Sequence, residues 1–289
     1  MAEFHEIAGY EVLATLGHGA RSSIYSVRDK QGDPFALKRV VKRSPSDQRF
    51  IDQAKLEHEI SSKFDHPALR RSYRLIRQRQ FIRVSEVLVL MELIDGETLE
   101  QYQPAAGFAE LLDVCRQVGE GLAAMHELGY VHADIKPNNI MIGRTGQAKI
   151  IDFGQSCEVG TIKQRIQGTP DYIAPEQVRR QRITPQTDVF NLGATLYWLL
   201  TRRHVPTLIP KGQAGITLRT EERCPPPTEF NEEVPPALST LVMDCIATEP
   251  VQRPASMRAV LDRLAIAAAQ VIRRRGDGAS DLPRRRSAS

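Results

Sequence analysis

Asp134, Lys136 and Asn139 stand close together in the run Val131-His132-Ala133-Asp134-Ile135-Lys136-Pro137-Asn138-Asn139-Ile140-Met141. A carboxylate, an ammonium and a carboxamide between apolar flanks supply a proton acceptor, a cation and a hard oxygen ligand. Asp152 follows Ile150-Ile151, a run that reads as a buried strand, and precedes Phe153-Gly154. Asp152 and Asn139 offer oxygens of the kind Mg2+ takes when it also shares phosphate oxygens. Upstream, Lys38 in Ala36-Leu37-Lys38 sits on a predicted strand, where a lone lysine also reads as a solvated edge charge. A predicted helix over 47–64 offers it a partner: Glu57, Ile60, Ser61 and Phe64 fall at i, i+3, i+4 and i+7 and share one face. Glu59 points instead toward Lys55 and Lys63, as in a surface ion pair. Gly17-His18-Gly19-Ala20-Arg21-Ser22 lies between two predicted strands and would let backbone approach phosphate closely, although an ordinary hairpin explains it too.

These residues need elements to hold them. The first hundred residues read mainly as strands: Tyr10 to Leu16, Ile24 to Val27, Phe35 to Val41, then Phe81 to Val84 and Val87 to Leu93. The remainder reads as helices over Ala109 to Leu128, with Gly129 as C-cap, Val189 to Leu200, with Asp188 as N-cap, Leu238 to Ala247, and Ser256 to Arg275. Residues 204–236 carry seven of the 18 prolines, which argues against a long helix there. From Gly276 onward apolar periodicity is lost, and a disordered tail is expected.

The net charge of +4 invites a nucleic-acid reading that its distribution weakens. Residues 1–91 carry 16 basic and 11 acidic side chains, residues 92–272 carry 17 and 22, and residues 273–289 carry 6 and 2. The excess therefore sits in the last stretch, where a solvated end explains it. Arg70, Arg71, Arg74, Arg77, Arg79 and Arg83 form an acid-free basic run. It reads as a solvated strand face, or as a docking surface for an acidic partner; too few aromatics interleave it to favour nucleic acid. No stretch reaches the ~18 apolar residues of a membrane span, and the first ten residues lack the apolar core of a leader. Cys115, Cys157, Cys224 and Cys245 form no close pairs, which speaks against zinc or disulfides and for buried free thiols in a reducing cytoplasm.

Further motifs follow in order: Gly168-Thr169-Pro170-Asp171-Tyr172-Ile173-Ala174-Pro175-Glu176, then Asp188, then Gln252-Arg253-Pro254. Taken with the motifs above, the chain from about Tyr10 to Ile272 resembles a eukaryotic-type (Hanks-type) Ser/Thr protein kinase domain. The resemblance implies a bilobal α+β fold. Residues 1–91 would form a small antiparallel β-lobe with one helix, and residues 92–272 a larger, mainly helical lobe. It implies ATP and Mg2+ as cofactors and protein serine or threonine hydroxyls as acceptors. Lys38 would hold the α- and β-phosphates and pair with Glu57; Asp134 would take the substrate hydroxyl proton; Asn139 and Asp152 would hold metal. Lys136 would contact the γ-phosphate and Thr169 would close the site against Asp134. Gly17 and Gly19 would cover the phosphates. Ile24, Ala36 and Met141 would sandwich the adenine, with Met91 guarding the back pocket, Glu92-Leu93-Ile94 as hinge and Glu97 or Thr98 near the ribose. Glu176 with Arg253 would prop the activation segment, and Asp188 would brace the catalytic loop. The compact architecture suggests a bacterial, soluble kinase.

The chain also departs from the family pattern. Ala133 stands where many kinases have the arginine that meets an activation-loop phosphate, so activity independent of phosphorylation at Ser156 or Thr161 is expected. Ser22 replaces the third loop glycine, and Ser61 and Ser72 occupy positions usually apolar, so the small lobe would be loosely packed or completed by a partner. Asn138 replaces an acid found in many base-directed kinases, and Ser287 and Ser289 follow a basic run as conceivable autophosphorylation sites. Two rivals accompany the kinase reading: a pseudokinase scaffold, and a kinase-fold enzyme acting on small molecules.

Overall fold

The computed structural model describes residues 5–19, 21–80, 83–103, 107–206 and 224–280. Six strands form one antiparallel sheet: β1 (Glu6–Ile7), β2 (Tyr10–His18), β3 (Ser22–Arg28), β4 (Pro34–Val41), β5 (Ser72–Gln80) and β6 (Arg83–Glu92), in the order β1-β2-β3-β4-β6-β5. Helix α1 (Gln48–Ser61) lies against one face. Strand alternation sorts the side chains of β4: Ala36 and Val40 pack with Ile51 and Ala54 of α1, while Leu37 joins Tyr25, Val27, Leu88 and Leu90 on the other face.

The rest is mainly helical. Short strands β7 (Gly96–Thr98), β9 (Ile140–Gly143) and β10 (Ala148–Ile150) make a three-stranded sheet, and β8 (Tyr130–Val131) pairs with β11 (Cys157–Glu158). Helices α2 (Phe108–Glu127), α3 (Pro175–Val178), α4 (Pro185–Thr201), α5 (Pro236–Cys245) and α6 (Met257–Ser280) complete the described chain. A single core runs through α2, α4, α5 and α6 and reaches Ile60, Phe64 and Leu69. Helix α4 is apolar nearly all round because it is enclosed by the others, and at Gly193 an added Cβ would meet Cys245 Cβ of α5 at 2.5 Å. Proline opens α3, α4 and α5 at the first position, where its missing N–H costs nothing. Gly129 follows α2 at φ +82°, the left-handed C-cap expected of it.

Several expectations need correction. The strand expected at Phe81 to Val84 is not separate: Val84 belongs to β6, whose hairpin partner is β5. Leu75 and Ile76 are the apolar residues of β5 that pack into the cores, and the arginines around them mask the strand in the sequence. Phe81 and Ile82 lie outside the described residues. Asp188 is not an N-cap; α4 begins three residues earlier, with Thr184 as its cap residue. Helix α6 continues to Ser280, through Gly276-Asp277-Gly278. Residues 281–289, with the two tail serines, lie outside the described residues. Of the four cysteines, all free, Cys115 and Cys245 are buried, whereas Cys157 and Cys224 are only partly so. No helix among the described residues is long and apolar enough to cross a membrane.

Candidate active site

Lys38 lies between Ala36 and Val40 on the α1-facing side of β4. The same α1 stripe that buries Ile51 and Ala54 carries Glu57 two turns on, and Lys38 Nζ donates to Glu57 Oε2 at 2.5 Å. Burial alone would lower the Lys38 pKa, but Glu57 and then Asp152 outweigh it and raise it, so the ammonium stays charged. Glu59 pairs with Lys63 at 3.7 Å on the outer face, and Lys55 pairs with Asp52.

The loop after β8 brings the polar residues together. Asp134 Oδ1 accepts from the Thr169 amide and from Thr169 Oγ1, both at 3.0 Å. Its Oδ2 accepts from Lys136 Nζ at 3.1 Å and Asn139 Nδ2 at 3.2 Å. Lys136 Nζ also donates to Thr169 Oγ1 at 2.6 Å, so four side chains form one connected network. Gly168, at φ +136°, makes the turn that presents Thr169.

Beneath this loop, Asp188 is fully buried and accepts from the amides of His132 and Ala133, at 2.9 and 2.7 Å, and from His126 Nε2 at 2.8 Å. Ala133, at φ 62°, takes the left-handed conformation that aims both amides at one carboxylate. Gln177 ties the activation segment to the same turn, donating to Ala133 O at 2.8 Å. Glu176 and Arg253 pair at 2.8 and 2.9 Å in full burial. Sequence reasoning passed over His126 and Gln177: only contact with Asp188 or Ala133 marks them.

Asp152 accepts from the Gly154 amide at 2.9 Å. Burial would raise its pKa, but Lys38, the Gly154 amide and His132 more than offset this and hold the carboxyl below its usual range. Asn139 spends its amide N–H groups on Asp134, which leaves its side-chain oxygen available as a ligand. One carboxylate and one amide oxygen suit a hard divalent cation that completes its shell with water and phosphate. No group of three His, Cys, Asp or Glu side chains among the described residues could hold a metal unaided. Phe153 is buried against Phe64, at 5.9 Å between ring centroids, and His132, at 5.6 Å.

Ala36 and Met91 are cross-strand partners on the α1 side of the sheet, with Ile24 and Leu93 packed against the same cluster. Met141 lies on β9 opposite Thr98, which bonds Gln101. Ile94 is half-buried beyond the end of β6. The Glu92 carboxylate turns away to Lys149, at 2.6 Å, while its amide donates to Arg71 O at 3.0 Å and its carbonyl accepts from Arg70 Nε at 3.2 Å. Glu97 lines a cavity of about 680 Å³ with Asp95, Tyr102, Ile142 and Arg144, none of which was expected to hold nucleotide. Gly17 closes on Ile24 within the β2–β3 pairing, and the Gly19 amide bonds Ser22 O at 2.7 Å; Ala20 lies outside the described residues. The serines at usually apolar positions are satisfied: Ser61 Oγ donates to Glu57 O at 2.6 Å, and Ser72 Oγ meets His58 Nδ1 at 2.7 Å. Arg70 is buried rather than solvated.

Comparisons with known proteins identify the family. The chain is 32% identical over 252 residues to the serine/threonine-protein kinase PknL of Mycobacterium tuberculosis, covering 84% of this chain and 62% of that protein. It is 28% identical over 256 residues to the serine/threonine-protein kinase PrkC of Bacillus subtilis, covering 84% of this chain and 38% of that protein. PknA of M. tuberculosis is 27% identical over 252 residues. The chain thus spans about two fifths to three fifths of the length of these bacterial relatives. The pattern of the protein kinase domain matches residues 10–264, and the chain belongs to that family.

Proposed function

We propose that the chain is an ATP-dependent Ser/Thr protein kinase that uses Mg2+, with residues 1–91 and 92–272 as its two lobes. The observation that carries this reading is the single network joining Asp134, Lys136, Asn139 and Thr169, opposite the Lys38–Glu57 pair. Gly17 and Gly19 lie over the phosphates, while Ile24, Ala36, Met91 and Met141 hold the base against the hinge from Glu92 to Ile94. Lys38, kept charged by Glu57, draws the α- and β-phosphates into place. Asn139 and Asp152 hold the magnesium, which when bound neutralises charge on the phosphate oxygens.

In the transfer step the substrate hydroxyl oxygen bonds to the γ-phosphorus, the bond to the β–γ bridging oxygen breaks, and ADP departs with that electron pair. Asp134 orients the hydroxyl and accepts its proton. Lys136 balances charge on the transferring phosphoryl group, and Thr169 locks Asp134 in place through two hydrogen bonds. Serine or threonine as acceptor follows the printed names of the relatives. A cytoplasmic setting rests on ATP as substrate and on four unpaired cysteines. Ser61 and Ser72 do not favour a scaffold that binds without transfer, because both have partners.

Radiolabelled phosphate transfer to a generic basic protein tests the reading. Asp134→Asn is expected to lower turnover by about 10²–10⁴-fold. Equal transfer by wild type, Asp134→Asn and Lys38→Met would overturn it.

A further inference from the structure

Strand β5 pairs only with β6, so its other edge carries no partner strand among the described residues. It is nine residues long, contains no proline and no acid, and exposes Arg74, Arg77 and Arg79. None of these three arginines has a hydrogen bond, ion pair or ring contact among the described residues. Nor do the flanking elements hold an acid in reserve for them. On β6, Glu86 is held by Arg39 at 2.7 and 2.9 Å, and Glu92 by Lys149 at 2.6 Å. On α1, Asp52 pairs with Lys55, Glu57 with Lys38 and Glu59 with Lys63. Every acid on the two elements beside β5 is matched, and the three cations along its edge are not.

The register fixes how these charges face. Arg77 lies opposite Val87 and Arg79 opposite Val84, both of which pack in the apolar cluster under α1, so the two arginines share the α1 side of the sheet. Arg74 lies opposite Leu90, which belongs to the cluster on the other side. A strand added to β5 would place every second side chain on the α1 side, about 7 Å apart, in step with Arg77 and Arg79. We propose that the outer edge of β5 is a docking site for an extended acidic segment of a partner protein. The segment adds as a seventh strand: its backbone bonds the open edge, and carboxylates at alternate positions meet Arg77 and Arg79. Nucleic acid fits less well, since it cannot supply a strand's alternating N–H and C=O groups. Docking here needs no ATP, so the inference stands apart from the phosphotransfer reading.

The probe is a fluorescein-tagged peptide of about twelve residues, alternating glutamate and valine, long enough to span β5. Its binding to the nucleotide-free full chain is followed by fluorescence anisotropy. Saturable binding is expected, weakened about tenfold or more by Arg77→Glu with Arg79→Glu, because two attractive pairs become repulsive. That double variant should melt within about 2 °C of wild type and bind the matching lysine–valine peptide instead. If it does not fold, Arg77→Gln with Arg79→Gln takes its place, with a loss of about threefold. Two N-methylated peptides separate strand addition from plain charge attraction. Methyl groups on the glutamate amides and on the valine amides point to opposite edges of an extended peptide. One form should lose binding by about tenfold or more, and the other should keep it within about threefold. Equal behaviour of the two forms overturns the proposal, as does no binding by wild type or undiminished binding by the double variant. Displacement of the bound peptide by oligothymidylate, at a lower concentration than untagged peptide requires, would assign the edge to nucleic acid. A dimer of the chain that the peptide dissociates would assign it to a second copy. Either result also overturns the proposal.

Discussion

Replacing Arg253 with methionine tests how the activation segment is anchored. Each of the five N–H donors of Arg253 has an acceptor: two oxygens of Glu176, and the carbonyls of Ala247, Gln186 and Thr248, at 2.8–3.1 Å. The guanidinium also lies 4.9 Å from the centre of the Phe190 ring. Methionine fills much of the volume and supplies none of the donors. Glu176 would stay buried with, among the described residues, only the Thr187 hydroxyl as side-chain partner. Removing one member of such a pair costs about 3–5 kcal/mol, because the remaining charge is left without compensation. At about 2–3 °C per kcal/mol for a chain of this size, the melting temperature should fall by about 6–15 °C. Glu176→Gln keeps an acceptor oxygen and leaves three carbonyls on Arg253, so its loss should be smaller, about 1–3 kcal/mol. In the double variant the uncompensated charge is gone, and the combined loss should be less than the sum by more than about 1 kcal/mol. Calorimetric melts of the four proteins measure this. A melting temperature for Arg253→Met within about 2 °C of wild type, or simple additivity in the double variant, would refute the argument.

Two further outcomes follow from contacts already described. Ser156→Ala with Thr161→Ala should leave phosphotransfer within about twofold of wild type, since Ser156 is 1% exposed and Thr161 Oγ1 is spent on Glu158 O; loss of turnover in the assay above would show that a phosphate is needed. Asp47 is held at a pKa of about 2 by Arg21, with the amides of Arg43 and Ser44 assisting. A depressed carboxyl stabilises the fold above its unfolded pKa and loses that contribution as pH falls, here from about 4 to about 2. Asp47→Asn should therefore lower the melting temperature at pH 7, and the gap to wild type should close below about pH 4.

The residues of the transfer step were legible because their chemistry is packed into short runs, and helical periodicity alone separated Glu57 from Glu59. Legibility failed where two environments share one local pattern. An acid just ahead of an apolar helix reads as a cap, yet Asp188 sits inside the first turn and faces the loop at 132–133. Arg70 and Arg74 look alike in the sequence, but the first runs beside β10 and the second lies on the exposed edge, with a register shift between Ser72 and Arg74 dividing the two settings. His126 and Gln177 gave no signal, because their partners are distant in the chain and their types are common on helix surfaces.

Strand β5 is an outer edge of the six-stranded sheet, and Arg74, Arg77 and Arg79 stand exposed along it. An open edge offers unpaired backbone groups to any other strand, and like charges are one way natural sheets discourage that. Two copies approaching edge to edge through β5 would double an already concentrated positive charge. The guard is electrostatic and so depends on the medium: it is strongest in dilute buffer and fades as the screening length shrinks toward the spacing of the side chains. Concentrated salt therefore removes a barrier to self-association that leaves every contact inside the fold untouched.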